Sequence, residues 1–395
     1  MNTLHIIGRT EKLFEEDLRF LQLELGEIIS SHSFLVLGGA GSIGQAVVKE
    51  LFRRNPKILH VVDLSENNLA ELVRDLRSSV GYIKGEFKTF ALDISSDVFD
   101  RFMEQQKTYD YVLNLSALKH VRSEKDVFTL MRMIEVNVFN TEKTILQAQK
   151  NGAKKYFCVS TDKAANPVNL MGASKRIMEK ILFQQKDKIS ISTARFANVA
   201  FSDGSLLHGF QNRIFKNQPI VVPNDIERFF VTPEESGELC IMSSIFGGTN
   251  EIFFPKLSPQ FKLTSFTEIL ERYLHTLGLK PFICENEDEA RSISGKLKSK
   301  GLWPCLYVNS DTTGEKIFEE FYMESEKVDF DRYKSIGVVK ITLENELEAI
   351  EAFREQILAI KQSSNWNKKE VVDAIRKALP ELDYEDLGKY LDQKM

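Results

Sequence analysis

The stretch Phe34-Leu35-Val36-Leu37-Gly38-Gly39-Ala40-Gly41-Ser42-Ile43-Gly44 decides the fold. An apolar run of strand length drops directly into glycines spaced GxxGxxG, and residues 43–54 then repeat their apolar positions at helical period. Gly38, Gly41 and Gly44, with Ser42 and Ile43 between them, let the backbone turn tightly and approach a pyrophosphate, whose charge the free N–H groups of the new helix stabilise. Alone, the motif would also fit a glycine-rich turn with no ligand. Between the first strand and first helix of an alternating chain, it reads as a dinucleotide cradle.

The alternation continues outward. Residues 58–62, 87–91, 111–115, 156–159 and 189–196 read as strands, and 66–80, 98–107, 129–151 and 170–185 as helices. Strands separated by helices of this length imply a parallel sheet covered on both faces, an α/β Rossmann-type doubly wound fold. Asp63 ends the second strand roughly 20 residues beyond Gly44, where a carboxylate accepts hydrogen bonds from the adenosine ribose and repels a 2′-phosphate, favouring NAD over NADP. Asp93 follows the third strand and suits the adenine edge or a loop or helix cap. Ser116 and Ala117, after the fourth strand, fall at the carboxyl ends of the strands, where a cofactor cleft opens.

Beyond Phe196 the rhythm changes: a turn at Ser202-Asp203-Gly204, a helix through Phe215, a short strand at 220–222, a helix at 233–246 and a charged helical stretch at 286–300. The expected organisation is an N-terminal helical extension (1–32), a cofactor domain (33–200), a smaller mixed substrate lobe (201–335) with segments able to return to the sheet, and a C-terminal helical extension (336–395) with helices at 343–361, 368–379 and 384–393. Leu13, Phe14, Leu18, Leu21, Leu25, Ile28 and Ile29 make the opening helix amphipathic, suited to docking on the body or on a second subunit.

Composition bounds the function. A net charge of −5 leaves no excess of Lys and Arg for neutralising nucleic-acid phosphates. No apolar run is long enough to span a membrane, and no basic-then-apolar leader opens the chain. Cys158, Cys240, Cys284 and Cys305 form no C-x-x-C pair, which suits a reduced, cytoplasmic protein, and the scattered histidines suggest no metal.

The chemistry concentrates in Val159-Ser160-Thr161-Asp162-Lys163, at a predicted strand end, and in Met171-Gly172-Ala173-Ser174-Lys175 shortly after. An acid and an amine beside a cofactor can remove a proton from one carbon while hydroxide leaves its neighbour. Without its neighbouring motifs, Asp162-Lys163 would read as a solvated loop pair.

With LGGAGSIG (37–44), NLSALKHV (114–121), VNVFNTEK (136–143), VSTDKAANPVNLMGASK (159–175), RFANV (195–199), ERFFVT (227–232) and TGEKIFEEF (313–321), the chain resembles the extended short-chain dehydrogenase/reductases. Within them it is similar to the nucleotide-sugar 4,6-dehydratases of polysaccharide and glycan synthesis that act on UDP-N-acetylglucosamine. The resemblance implies tightly bound NAD regenerated in each turnover. Its usual pair is a Tyr and a Lys four positions apart; Lys175 takes the Lys position, gripping the nicotinamide ribose, and Met171 takes that of the Tyr. A thioether exchanges no proton. Some dehydratases of this group also carry Met there, and in them the neighbouring Asp-Lys pair serves the proton transfers.

By that likeness Lys163, its pKa lowered by burial or by Lys175, takes the C5 proton, and protonated Asp162 donates to the departing C6 hydroxyl. Asp162, Thr161 or a water deprotonates the C4 hydroxyl. Lys119, Asn198, Ser205 and Arg228 are implied at the sugar or diphosphate, and Glu315 at the uridine ribose; Asn198 would alternatively form a turn, and Asn137 would support the site backbone. Thr312 departs from the family's Arg. A homodimer or higher homo-oligomer through helices 129–151 and 170–185 is implied, with the C-terminal helices, including Trp366, extending that interface or covering the substrate. An aminotransferase or other sugar-modifying enzyme is linked only through the product. The alternatives are a nucleotide-sugar 4-epimerase and a noncatalytic NAD-binding regulator.

Overall fold

Short apolar runs bounded by amphipathic helices can hide both faces of a strand only inside a covered parallel sheet, and the chain builds one. The computed structural model describes residues 2–106, 108–310, 314, 319–342 and 347–388. The main sheet comprises β1 (Ser33–Leu37), β2 (Ile58–Asp63), β3 (Glu86–Ala91), β4 (Tyr111–Asn114), β5 (Lys155–Thr161), β6 (Ser190–Phe196), β7 (Glu251–Pro255), β8 (Lys327–Asp329) and β9 (Ile336–Lys340). Their order is β8-β9-β7-β6-β5-β4-β1-β2-β3. Strands β1 to β7 run parallel; β9 pairs antiparallel with β7, and β8 with β9. The β3-β2-β1-β4-β5-β6 portion is the doubly wound Rossmann order, whose direction of winding reverses between β1 and β4 and opens a crevice at their carboxyl ends.

A smaller sheet, with Leu302–Val308 between Lys280–Ile283 and Ile220–Pro223, packs with helices Leu206–Phe215 and Phe266–Thr276 around Trp303, Phe210 and Leu270. Several elements depart from the sequence reading. The buried strand β7 is not anticipated, because a short apolar run does not by itself distinguish strand from helix. Residues 336–340 form β9 rather than opening the helical extension. The charged helix at 286–300 closes at Ile293, ahead of Gly295 with φ 78°. The expected single helix at 129–151 is three pieces: Val127–Ile134, a π turn at Glu135–Phe139 and Asn140–Lys150. Of the helix expected at 384–393, residues 384–388 are not helical, and the remainder lies outside the described residues.

Both terminal extensions pack on the body. Phe14, Leu25 and Ile29 are buried beneath the opening helix Glu15–Ser31, while Asp17 accepts from the backbone N–H groups of Lys334 and Ser335 at 2.7 and 2.8 Å. The C-terminal helices Leu347–Gln362 and Lys368–Ala378 share an apolar cluster with Leu130, Met131, Ile177 and Ile181. Every residue of helix Leu170–Phe183 is thereby buried within one chain. This is one of the faces expected to meet a second subunit, and its cover comes from the chain's own C-terminus. Trp366 lies against Phe128, with ring centroids 5.9 Å apart. Among the described residues no helix is long and apolar enough to cross a membrane.

Candidate active site

The glycine turn lies where the sheet topology requires it. Gly38 has φ 71°, and a Cβ there would fall 2.6 Å from the Ser116 nitrogen, so only glycine fits between β1 and the loop after β4. Gly41 is the N-cap of helix Ser42–Arg53, which has no side-chain cap, and Gly44 is buried in its first turn. Gly38, Gly41, Asp63, Asp93, Ser116 and Ala117 share the wall of one cleft of about 260 Å³ with Leu64, Leu92, Ile94, Leu115, Leu118 and Arg132. Asp63 accepts from the Ala40 N–H at 2.9 Å, tying the end of β2 to the glycine turn, and from the Ser65 N–H at 2.9 Å.

Asp93 accepts from the Ser95 N–H and hydroxyl, which together with the Arg132 and Lys143 charges outweigh its partial burial and hold its pKa below the ordinary value. It is thus both a loop-forming carboxylate and part of the cleft wall. Ser42 exchanges hydrogen bonds with Asp203 at 2.8 and 2.9 Å, and Ile43 packs half-buried against the core. The chemistry of this set fits a dinucleotide: an uncapped helix start for the pyrophosphate and a carboxylate for ribose hydroxyls.

On β5, one strand from the cleft wall of β4, Thr161 caps a single 3-10 turn over Asp162–Ala164. Its hydroxyl donates to Asp162 Oδ1 at 2.7 Å, and Lys163 Nζ lies 3.2 Å from each Asp162 oxygen. Asp162 is buried, while the Lys163 side chain keeps 22% of its exposure. The following helix presses on this turn: a Cβ at Gly172 would sit 2.2 Å from the Lys163 carbonyl oxygen, so glycine in the Met171–Lys175 run sets how closely the helix approaches the acid-amine pair. Lys175 is buried with Nζ donating to the Val159 carbonyl at 3.0 Å, and burial depresses its pKa. Met171 is buried in the apolar cluster, its N–H donating to Glu124.

The π turn explains Asn137. This buried side chain accepts from the Leu118 N–H and donates to the Leu118 carbonyl and to Ser174 Oγ, at 2.9, 3.0 and 2.9 Å, stitching the cleft wall to the helix of Met171 and Lys175. A π turn brings an inward side chain to a position that regular helical spacing would carry past.

Glu319 went unread in the sequence, although it stands within TGEKIFEEF: in a run containing Glu315, Glu319 and Glu320, periodicity alone does not say which carboxylate turns inward. Its side chain is 1% exposed. One oxygen lies 3.9 Å from Lys163 Nζ and 3.6 Å from Arg228 Nε and accepts from Asn198 Nδ2; the other accepts from the Phe229 N–H at 2.8 Å. Burial, then the Asp162 charge, push Glu319 up to about 7. The expectation that Lys163 has a lowered pKa is overturned here. Burial does oppose its charge, but Asp162 and Glu319 outweigh that cost and raise its pKa.

Glu124 carries no signal of its role in the sequence either. Fully buried, it accepts from the Met171 N–H at 2.8 Å at the start of helix Leu170–Phe183, and burial pushes it up to about 7. Of the implied substrate contacts, Asn198 and Arg228 converge on Glu319, Lys119 is exposed, and Ser205 accepts from the His208 N–H as a helix N-cap. Glu315 and Thr312 lie outside the described residues.

The polysaccharide biosynthesis protein family matches this chain over residues 34–341. An uncharacterised membrane protein of Methanocaldococcus jannaschii is 30% identical over 323 residues, 80% of this chain and 88% of its own length. A UDP-N-acetylglucosamine 4,6-dehydratase (inverting) of Campylobacter jejuni is 28% identical over 253 residues, 62% of this chain and 72% of that protein. The chain spans about half the length of two further relatives, polysaccharide biosynthesis proteins of Staphylococcus aureus and Bacillus subtilis. In fold it is similar to a dTDP-glucose 4,6-dehydratase of Streptomyces venezuelae solved with NAD, with a TM-score of 0.53 and 17% identity over 71% of this chain and 88% of that one. With the doubly wound sheet, the glycine turn and these matches in place, the chain belongs to the polysaccharide biosynthesis protein family, as an extended short-chain dehydrogenase/reductase related to nucleotide-sugar 4,6-dehydratases and 4-epimerases.

Proposed function

We propose that the protein is an NAD-dependent nucleotide-sugar 4,6-dehydratase, with UDP-N-acetylglucosamine as substrate and a 4-keto-6-deoxy sugar nucleotide as product. The observation that carries this reading is the Asp162–Lys163 pair on its 3-10 turn at the end of β5, with Lys163 Nζ 3.2 Å from both carboxylate oxygens and still reachable from solvent. NAD, held by Gly38, Gly41, Gly44 and Asp63, supplies the hydride acceptor and donor that a C4 oxidation and a C6 reduction require.

Oxidation at C4 acidifies the proton on C5. Lys163, once neutral, takes it, and Asp162 in its protonated form gives a proton to the leaving C6 hydroxyl. Thr161 donates to Asp162 and thus offers a relay for the C4 hydroxyl proton, a task the Met171 thioether cannot perform. Lys175, with its ammonium held by the Val159 carbonyl, positions the nicotinamide ribose. Arg228 and Asn198 receive the diphosphate and sugar, with Lys119 and Ser205 at the margin of the sugar site and Glu315 at the uridine ribose. The NAD is tightly bound and returns to its starting state in each turnover.

Epimerisation at C4 would use the same oxidation but needs no base at C5. Incubating the purified protein with UDP-N-acetylglucosamine in deuterated water separates the two: dehydration gives a product lighter by one water that carries solvent deuterium at C5. A product of unchanged mass with inverted C4 would establish the epimerase instead.

A further inference from the structure

The proposed reaction needs Lys163 as a free amine, yet the structure surrounds that amine with negative charge. Asp162 is its sequence neighbour, and its closeness is fixed by the 3-10 turn. Glu319 arrives from the other side of the sequence, far down the chain, and its carboxylate is almost wholly shielded from water. Among the described residues, the charged groups facing it are Lys163 and Asp162 from the turn after β5 and Arg228 from the short strand Glu227–Arg228; Asn198 and the Phe229 N–H complete its polar contacts. A buried carboxylate with two cations and two N–H donors around it is a junction: it touches the catalytic amine on one side and two residues assigned to the anionic substrate on the other.

We propose that Glu319 is a positioning residue, the buried counter-ion that holds Lys163 as an ammonium until substrate arrives and then releases it as a base. Among the described residues, two carboxylates and two cations meet here when no diphosphate is present. A diphosphate that draws Arg228 away leaves Glu319 with one cation fewer in a site where burial already disfavours its charge. The carboxylate then takes a proton more readily, and the closest charged donor is Lys163, 3.9 Å away, within reach of a small side-chain movement. In that step an N–H bond of Lys163 breaks and an O–H bond of Glu319 forms. The ion pair becomes a neutral pair, with no electron transferred. The carboxyl group can keep its acceptor contact with the Phe229 N–H throughout. Lys163 is thereby activated only when the anionic substrate is seated, and a free amine is not left in the open site between turnovers. The base role of Lys163 rests on the dehydratase reading; the control of its charge by Glu319 does not.

The test is therefore made without turnover. Amine acetylation of Lys163, followed by peptide mass spectrometry from about pH 7 to 10, reports the fraction of free amine in the intact protein. Replacing Glu319 with Gln keeps an oxygen for the Phe229 N–H but removes the charge, and is expected to speed labelling of Lys163 by ~10-fold or more at a fixed pH below its pKa. Glu319→Asp, which draws the charge back by one methylene, should give a rate between the two. Adding UDP to the wild-type protein should also raise the rate, and should have no such effect in Glu319→Gln. Control lysines on the surface should be unchanged. Rates for Lys163 that match wild type in both variants, with melting curves showing folded protein, would overturn the proposal; if Glu319→Gln does not fold, a wild-type rate in Glu319→Asp has the same force. A labelling shift without any dehydrated product from the wild type would retain the counter-ion and reject the dehydratase reading. Dehydration by the wild type with no labelling shift would do the reverse.

Discussion

At the scale of single residues, the proposed chemistry and its cost fall on two buried acids and one amine. Lys163 lies within reach of Asp162 and Glu319, and no other described lysine is paired with both. Replacing it with Met keeps the length and apolar stem but removes the proposed base. Turnover to the dehydrated product should fall by about 10²–10⁴-fold, while dinucleotide binding, measured by fluorescence titration, should be unchanged. Turnover surviving at the wild-type rate would take Lys163 out of the mechanism. Glu124 affects stability instead. Its carboxyl titrates at an ordinary value near 4.5 in the unfolded chain and at about 7 in the fold. Between those values the folded state binds more protons, so the stability this group contributes is complete below about 4.5 and is lost as pH rises to about 7. Glu124→Gln, which preserves an acceptor for Met171, should therefore gain on the wild type across that window, by up to about 3 kcal/mol. Urea denaturation at a series of pH values measures the difference, and a variant that gains nothing between pH 5 and about 7 would show that Glu124 is ionised at ordinary cost.

At the scale of elements, close approach rather than propensity positions the site. The helix Leu170–Phe183 can rest on the Asp162–Ala164 turn because Gly172 has no side chain to meet the Lys163 carbonyl. Gly172→Ala would improve helix propensity on an exposed surface, but here it must move backbone, and it should destabilise the fold by about 1–3 kcal/mol and displace the Asp162–Ala164 turn. The two effects separate in a crystal structure and a thermal melt. The π turn Glu135–Phe139 is the second such device, since it aims Asn137 at the backbone of Leu118. Asn137→Leu would leave the half-buried N–H and C=O of Leu118 without this partner, at up to about 1 kcal/mol for each group left to water or unpaired. Amide exchange at Leu118, in the loop after β4, should rise well above its wild-type rate; protection equal to wild type would assign the bond no importance.

For the molecule as a whole, the C-terminal helices decide which surfaces are free. Ile350, Phe353, Ile357 and Ile375 complete an apolar cluster with Leu130, Ile134, Ile177 and Ile181, and Lys361 pairs with Glu135 at 2.6 Å across the same boundary. Ending the chain before residue 347 would bare that cluster to water, a contiguous patch of the kind that drives association. Light scattering should find the shortened chain associating or aggregating at concentrations where the full chain is unchanged; a shortened chain that stays monomeric and stable would show that these helices are dispensable cover. Much of this architecture was legible in residue order. Phe34 to Gly44 and the alternation after it imply the parallel sheet, the turn and the position of Asp63, because period, turn chemistry and strand-to-helix spacing are local properties that survive in a linear string. Asp162, Lys163 and Lys175 were legible by their place beside that pattern. The inward turn of Glu319, the burial of Glu124 and the covering of helix Leu170–Phe183 were not, since each depends on which distant segment excludes water from it. The sign of the Lys163 shift followed from the same cause: sequence shows an amine beside one acid, and only the packed chain brings the second acid to it and removes the solvent that would have screened them both.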